Sequence, residues 1–139
     1  MVKSWTEVVT PHKDVLSGRL DESVFAADLE DVVQGRAPSD YLYPEVFFAK
    51  TYPTDGLVNL LANVVSRLSG KGGDPVINLQ TPFGGGKTHA LIALYHLCKG
   101  GERAQQSELV RQVLARAKVD HLPRARWPCS WAPAPAFTT

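Results

Sequence analysis

Three consecutive glycines followed by a lysine and a threonine are the residues whose types and spacing most clearly suggest chemistry. Gly84, Gly85 and Gly86 run directly into Lys87 and Thr88. Glycines let several backbone N–H groups converge on one anion, because no side chain blocks the approach and positive φ angles cost little. A helix that begins near Gly86 adds the partial positive charge of its N-terminus. The stretch therefore predicts a site for the phosphates of a nucleoside triphosphate, in which Lys87 contacts the outer phosphates and the Thr88 hydroxyl binds Mg²⁺.

This stretch matches most of the phosphate-loop pattern G-x-x-x-x-G-K-[ST]. The last three positions are present at 86–88, whereas Thr81 stands where the pattern has its first glycine. We expect Gly84 and Gly85 to supply the missing flexibility. The alternative is a glycine-rich turn before a helix, in which the lysine and the threonine are merely solvated.

The predicted binding residues all lie in this loop and the first turn of the helix after it. The predicted nucleotide-binding set is Gly84, Gly85, Gly86, Lys87, Thr88 and His89. Thr88 is also the predicted metal contact, and no catalytic residue is assigned. A metal site at His89 and His96 would need more ligands, so we expect core or interface histidines there. Arg36 and Lys50 are candidates to reach a nucleotide, and Asp40-Tyr41 and Tyr52 are candidates to stack on an adenine. We expect solvation for the two cations and packing for the aromatic positions.

The elements around the loop give it a structural context. Residues 76–80 (VINLQ) are predicted to form a short strand, and residues 89–99 are apolar on nearly every side, like a helix buried against a sheet. Further helices are predicted from Asp21 to Gly35, over 45–50, over 54–68 with Thr54 or Asp55 as its cap, and over 105–117. The order strand, glycine loop and buried helix predicts an α/β fold of the P-loop NTPase type.

The stretch TPFGGGKTHALIALYHL resembles the phosphate loop of a family of large prokaryotic ATPases, related to AAA+ proteins and catalogued mainly as a domain of unknown function. The upstream stretches VFAADLEDVVQGRAPSDY, FFAKTY and GLVNLL resemble the same family's N-terminal region, so the likeness covers roughly residues 1–126. It implies a truncated AAA+-like fold, ATP binding through residues 84–88, and ATP hydrolysis in the complete protein. It also implies that Thr81 is a family trait. Some members occur in gene neighbourhoods tied to phage resistance, which suggests other subunits or phage-defence proteins as partners.

Residues for hydrolysis are missing after the loop. Phosphoryl transfer needs an acidic residue at the end of another strand, which holds magnesium and orders the attacking water. Asp120 follows residues 117–119 (AKV), which are too polar for a core strand. We therefore expect an ATP-binding fragment that is inactive alone. The alternatives are a nucleotide-binding protein that does not hydrolyse, and a protein-interaction module built on helices 54–68 and 105–117.

We predict three segments along the chain. A mostly helical N-terminal region covers 1–70, the start of a P-loop NTPase domain covers 71–126, and an irregular tail covers 127–139. The tail is rich in tryptophan and proline. If one lost nucleotide were restored to the gene before the codon of Trp127, the first residues of the tail would read as an apolar strand that ends in glycine. We hypothesise a frameshift after about Arg126. Part of the apolar pattern is forced, because a shifted tryptophan codon always encodes an apolar residue. The alternative is a natural proline-rich tail.

Composition excludes several function classes. The net charge of +1 argues against a dedicated nucleic-acid surface, and 44% hydrophobic with 21% charged residues indicates a globular chain. Cys98 and Cys129 match neither a zinc spacing nor a disulfide framework, which predicts a reducing compartment. The N-terminus lacks the apolar run of a signal peptide, and no stretch approaches the roughly 18 apolar residues of a membrane span. We expect a soluble, cytoplasmic protein without a membrane partner.

Overall fold

The computed structural model describes residues 3–18, 27–80, 84–99 and 101–125, and the regular secondary structure in these ranges is helical throughout. In chain order the helices are α1 (Trp5–Val8), α2 (Lys13–Leu16), α3 (Leu29–Gln34), α4 (Ser39–Leu42), α5 (Pro44–Lys50), α6 (Asp55–Leu68), α7 (Lys87–Lys99), α8 (Gly101–Gln105) and α9 (Glu108–Ala117). None of the helices in these ranges has both the length and the apolarity that crossing a bilayer requires. The predicted tail over 127–139 and Thr81 lie outside the described residues.

The predicted α/β fold is wrong, because the described residues contain no strand. Residues 76–80, predicted as the core strand, have no regular secondary structure. Val76 is 82% exposed and Ile77 is 37% exposed, so the side chains that suggested burial lie at the surface. A strand exists only through ladder hydrogen bonds to a neighbouring strand. No described segment pairs with residues 76–80, so their apolar pattern is not enough to form one.

Helix α6 forms where its apolar residues recur every three or four positions. Its buried residues share one face, and they are Val58, Leu61, Ala62 and Val65. The Thr54 hydroxyl caps the N-terminus by accepting the Leu57 N–H at 3.4 Å, and Gly70 follows the C-terminus with a φ of 70°. These features confirm the helix predicted over 54–68 and its threonine cap.

The helix predicted over 105–117 is confirmed as α9, which begins three residues later, and the short helix α8 before it was not predicted. Helix α8 ends at Gln105, and α9 begins at Glu108 behind a new cap at Ser107. The Ser107 hydroxyl accepts the Val110 N–H at 3.2 Å, which stabilises a helix start at this point. Helix α9 packs along α6, and its buried residues are Leu109, Val110, Val113 and Ala117.

Helix α7 is buried by other helices, although its apolar sequence predicted burial against a sheet. It contacts α3, α5, α6 and α8, and its buried residues are Ala90, Ile92, Ala93, Tyr95, His96 and Leu97. His96 is 3% exposed and donates its Nε2 hydrogen to the Tyr41 carbonyl oxygen at 2.7 Å, so it is a core histidine, as predicted. Burial lowers the pKa of His96, and the Tyr41 hydrogen bond and the charge of Glu45 offset this only in part.

Helix α3 lies within the range predicted from Asp21 to Gly35 but begins only at Leu29, because residues 27 and 28 are not helical. The Asp28 carboxylate caps it by accepting the Glu30 N–H at 2.7 Å, and Gly35 ends it with a φ of 74°, as predicted. Residues 21–26 lie outside the described residues. Buried residues from both sides of residue 70 belong to one hydrophobic cluster, and the predicted domain division at this point stays a prediction.

The turn that leads toward the glycine loop is held against α6. Asp74 donates its N–H to Asn63 Oδ1 at 2.7 Å, and the Asn63 amide donates to Asp74 Oδ2 at 2.6 Å. Gly73 has a φ of 90°, and a Cβ there would lie 2.5 Å from the Asn63 carbonyl oxygen. Only glycine permits this close approach, so the turn depends on that residue.

Candidate functional site

The glycine loop passes directly into the start of α7. Gly84 and Gly86 have φ angles of 77° and 76°, which lie in the left-handed region that favours glycine. Helix α7 begins at Lys87, and the Gly86 carbonyl accepts the Ala90 N–H at 2.9 Å. The structure thus confirms the prediction that a helix starts beside Gly86. The first backbone N–H groups of such a helix have no acceptor within it, and they point toward the loop side.

A cavity of about 600 Å³ opens beside this loop. One wall comes from the loop and the first turn of α7, and the opposite wall comes from residues 50–54 and the first half of α6. Leu79, from the segment before the loop, also lines it. A volume of this size is typical of a site for a small organic ligand.

The structure brings some of the predicted binding residues to this cavity and leaves others outside its lining. Gly85, Gly86, Lys87 and His89 line it. Gly84 and Thr88 are exposed beside it but do not belong to the lining. The loop geometry does not test nucleotide binding, so the roles of these residues stay predictions.

His89 connects the start of α7 to the end of α5. The Thr51 hydroxyl donates to the Phe47 carbonyl oxygen at 2.7 Å and lies 3.0 Å from His89 Nε2. The His89 ring also packs on the Phe47 ring, with 4.6 Å between centroids. Burial lowers the pKa of His89, so the neutral ring is favoured. This contact holds the two walls of the cavity together.

Two residues on the wall opposite the loop were not expected to face a ligand. Lys50 lines the cavity and forms an ion pair with Asp40 at 2.8 Å between Nζ and Oδ2. Tyr52 also lines the cavity and is 81% exposed, so the packing predicted for it is wrong. The positions of both residues relative to the loop depend on how α5 and α6 pack against α7. Neighbouring residues in the sequence do not reveal that arrangement.

In a comparison with protein families, one family matches the whole described region. Residues 3–126 match the family described as the DUF499 N-terminal domain. The chain belongs to this family. The match includes the glycine loop, both walls of the cavity and every described helix. Among curated proteins and among solved structures, nothing matches the chain.

Membership confirms the resemblance to a domain of unknown function. The relation of this DUF499 domain to AAA+ ATPases, and its link to phage resistance, stay predictions.

The cavity of the DUF499 domain carries cationic but no acidic side chains among the described residues that line it. Lys87 lies on the loop side and favours an anionic ligand, whereas Lys50 on the other side is paired with Asp40. Within the described ranges, no three His, Cys, Asp or Glu side chains are grouped as in a metal centre. A metal at this site would depend on the ligand's own oxygen atoms.

The DUF499 domain has a second and larger cavity, of about 920 Å³, at the other end of α7. Tyr43, Lys99 and Arg103 are among its lining residues. None of the predicted binding residues reaches it. The smaller cavity is therefore the better candidate, because it adjoins the glycine loop and the start of a helix.

Proposed function

We propose that this DUF499 N-terminal domain binds ATP, with the phosphates at residues 84–88. The observation that supports this most directly is the pair of left-handed glycines that leads straight into α7, at the edge of the 600 Å³ cavity. A helix N-terminus presents unpaired N–H groups and a partial positive charge, and both favour a phosphate. The helix is 13 residues long, so its dipole is well developed.

Each side chain of the loop has a role in this proposal. Lys87, the first residue of α7, contacts the outer phosphates through its ammonium group. The Thr88 hydroxyl, exposed beside the cavity, binds Mg²⁺. The donor set fits this ion only if phosphate oxygens and water complete its shell, because the described cavity lining offers no carboxylate.

Hydrolysis is a separate part of the proposal. The resemblance implies an AAA+-related ATPase, and we assign hydrolysis to the complete ATPase. Because the described cavity lining has no acidic side chain, it lacks a group that would order the attacking water. Magnesium-dependent turnover by residues 1–139 alone would contradict this division of roles. The link to phage-defence partners rests on the resemblance.

The alternative of a helical interaction module stays a prediction. It depended on the apolar faces of helices 54–68 and 105–117. The observed helices α6 and α9 pack together and bury part of these faces, whereas Leu57 and Leu60 line the cavity and Leu68 is 46% exposed.

Calorimetric titration of ATP in the presence of Mg²⁺ tests the proposed site. Lys87→Ala removes one charge-assisted contact worth about 1.5–3 kcal/mol, so we expect ATP affinity to fall roughly 10- to 150-fold. Lys99→Ala is the matched control, because Lys99 is exposed at the other end of the same helix and lies over the Tyr95 ring at 5.5 Å. Equal ATP affinity for the wild type and Lys87→Ala would refute the proposal.

A further inference from the structure

Tyr52 is an exposed aromatic residue whose backbone is held in place. It is 81% exposed, whereas its neighbour Thr51 is only 8% exposed and bonds to both Phe47 and His89. On its other side, the Tyr52 carbonyl accepts the Thr54 N–H at 2.9 Å across Pro53, which forms a tight turn. The chain therefore presents the Tyr52 ring to solvent at a defined position, so little backbone entropy is lost when the ring binds something.

The cavity has two chemically different sides. Near the loop, its lining includes Gly85, Gly86 and Lys87 at the N-terminus of α7. The rest of the lining includes Tyr52, Leu57, Leu60 and Leu79, which offer one aromatic ring and three hydrocarbon side chains, and Lys50, whose ammonium group is paired with Asp40. A nucleotide has the same division, because its phosphates are charged while its base is flat and apolar on both faces.

We propose that Tyr52 is the platform on which the base of the bound nucleotide stacks, with the three leucines forming the apolar wall around it. This inference rests on the proposed phosphate site and assigns the other half of the same ligand. Stacking of an aromatic ring on a base tolerates any base, because every base has a π-face.

The same wall determines the substrate class. The hydroxyls of Thr51 and Thr54 are already used, since the first bonds Phe47 and His89 and the second caps α6. The described lining has no amide or carboxylate side chain to read the edge of a base. Purine nucleoside triphosphates should bind more tightly than pyrimidine ones, through their larger stacking area. Adenine and guanine should be discriminated only weakly.

The test measures four ligands: ATP, GTP, CTP and inorganic tripolyphosphate, which has the charge but no base. Tyr52→Ala should lower ATP affinity roughly 5- to 150-fold, which corresponds to about 1–3 kcal/mol of base stacking. Tripolyphosphate affinity should not change. Tyr52→Phe should bind all four ligands like the wild type. Tyr43→Ala is the matched control, because Tyr43 is 52% exposed but lines the other cavity.

Proton NMR adds a signature that a structural role would not produce. Stacking places the Tyr52 ring protons over the base, so ATP should shift them upfield while tripolyphosphate leaves them in place. The Tyr43 ring protons should not respond to either ligand.

The outcomes separate this inference from the proposed function. Unchanged ATP affinity in Tyr52→Ala, with impaired binding in Lys87→Ala, would overturn the platform and leave the phosphate site intact. Equal loss of ATP and tripolyphosphate in Tyr52→Ala would also overturn it, because the residue would then act on the loop. If Lys87→Ala binds ATP normally while Tyr52→Ala does not, the phosphate assignment fails and the base contact stands.

Discussion

The Thr51 hydroxyl is the atom through which α5 supports the start of α7, and replacing it with a methyl group gives a quantitative test. A hydroxyl has one hydrogen, and that of Thr51 is donated to the Phe47 carbonyl at 2.7 Å. The bond of 3.0 Å to His89 therefore requires His89 to donate from Nε2. Thr51→Val keeps the shape of the side chain and removes both hydrogen bonds.

The expected cost follows from burial. A typical hydrogen bond contributes about 0.5–1.5 kcal/mol, and a buried group left unsatisfied costs about 1–3 kcal/mol. Thr51 is 8% exposed, but His89 is half-buried and its N–H can partly reach water. We expect the free energy of unfolding of Thr51→Val to fall by about 2 kcal/mol. At about 4 °C per kcal/mol for a domain of this length, Tm should fall by roughly 8 °C.

Urea and thermal unfolding, followed by circular dichroism, measure this loss. Thr51→Ser is the control, because it keeps the hydroxyl and should cost less than about 1 kcal/mol. Nitrogen NMR should show the Nε2-protonated tautomer of His89 in the wild type and in Thr51→Ser, and a loss of that preference in Thr51→Val. The reasoning is refuted if Thr51→Val is as stable as the wild type, or if the serine variant loses as much as the valine variant.

Acid should lower the free energy of unfolding. Burial lowers the pKa of His89 and His96 below the ordinary value of 6.5. As the pH falls, these histidines therefore take up protons in the unfolded chain at a higher pH than in the folded one. The free energy of unfolding should be level above about pH 7 and fall as the pH drops below about 6.5, and His96→Gln should flatten the profile of Tm against pH. Leu109→Ala, at a site 1% exposed, should cost about 2–5 kcal/mol in urea unfolding, and a cost below about 1 kcal/mol would contradict its place in the core. Gly86→Ala introduces a side chain at a φ of 76° with no atom within 4 Å of its Cβ, so only backbone strain of about 1–2 kcal/mol is expected, together with weaker ATP binding. Gly56→Ala, in α6 with the same open space and an ordinary φ, should instead be neutral or stabilising in urea unfolding.

Local features of the sequence correctly predicted the longest described helices, α6, α7 and α9, whereas the short helices α1, α2, α4 and α8 were not predicted. The apolar periodicity of 54–68, the cap at Thr54 and the left-handed end at Gly35 all appear in the structure. These features act within one or two helical turns, so neighbouring residues contain the information needed to place them. The start of a helix immediately after the glycine triplet was predictable for the same reason. The start of α9 was predicted at about residue 105, three residues too early, although Ser107 is a strong cap.

Only the tertiary structure decided whether residues 76–80 form a strand and which residues face the loop. A strand requires a neighbour, and none of the described segments provides one, so a five-residue segment with three apolar positions was misleading. The pairing of Thr51 with His89 joins residues 38 positions apart, and the exposure of Tyr52 depends on how α5 and α6 pack against α7. The sequence by itself determined the glycine loop, its lysine and the helix behind it. The second wall of the cavity required the packed structure, since burial and contact are properties of chain segments brought together from distant positions.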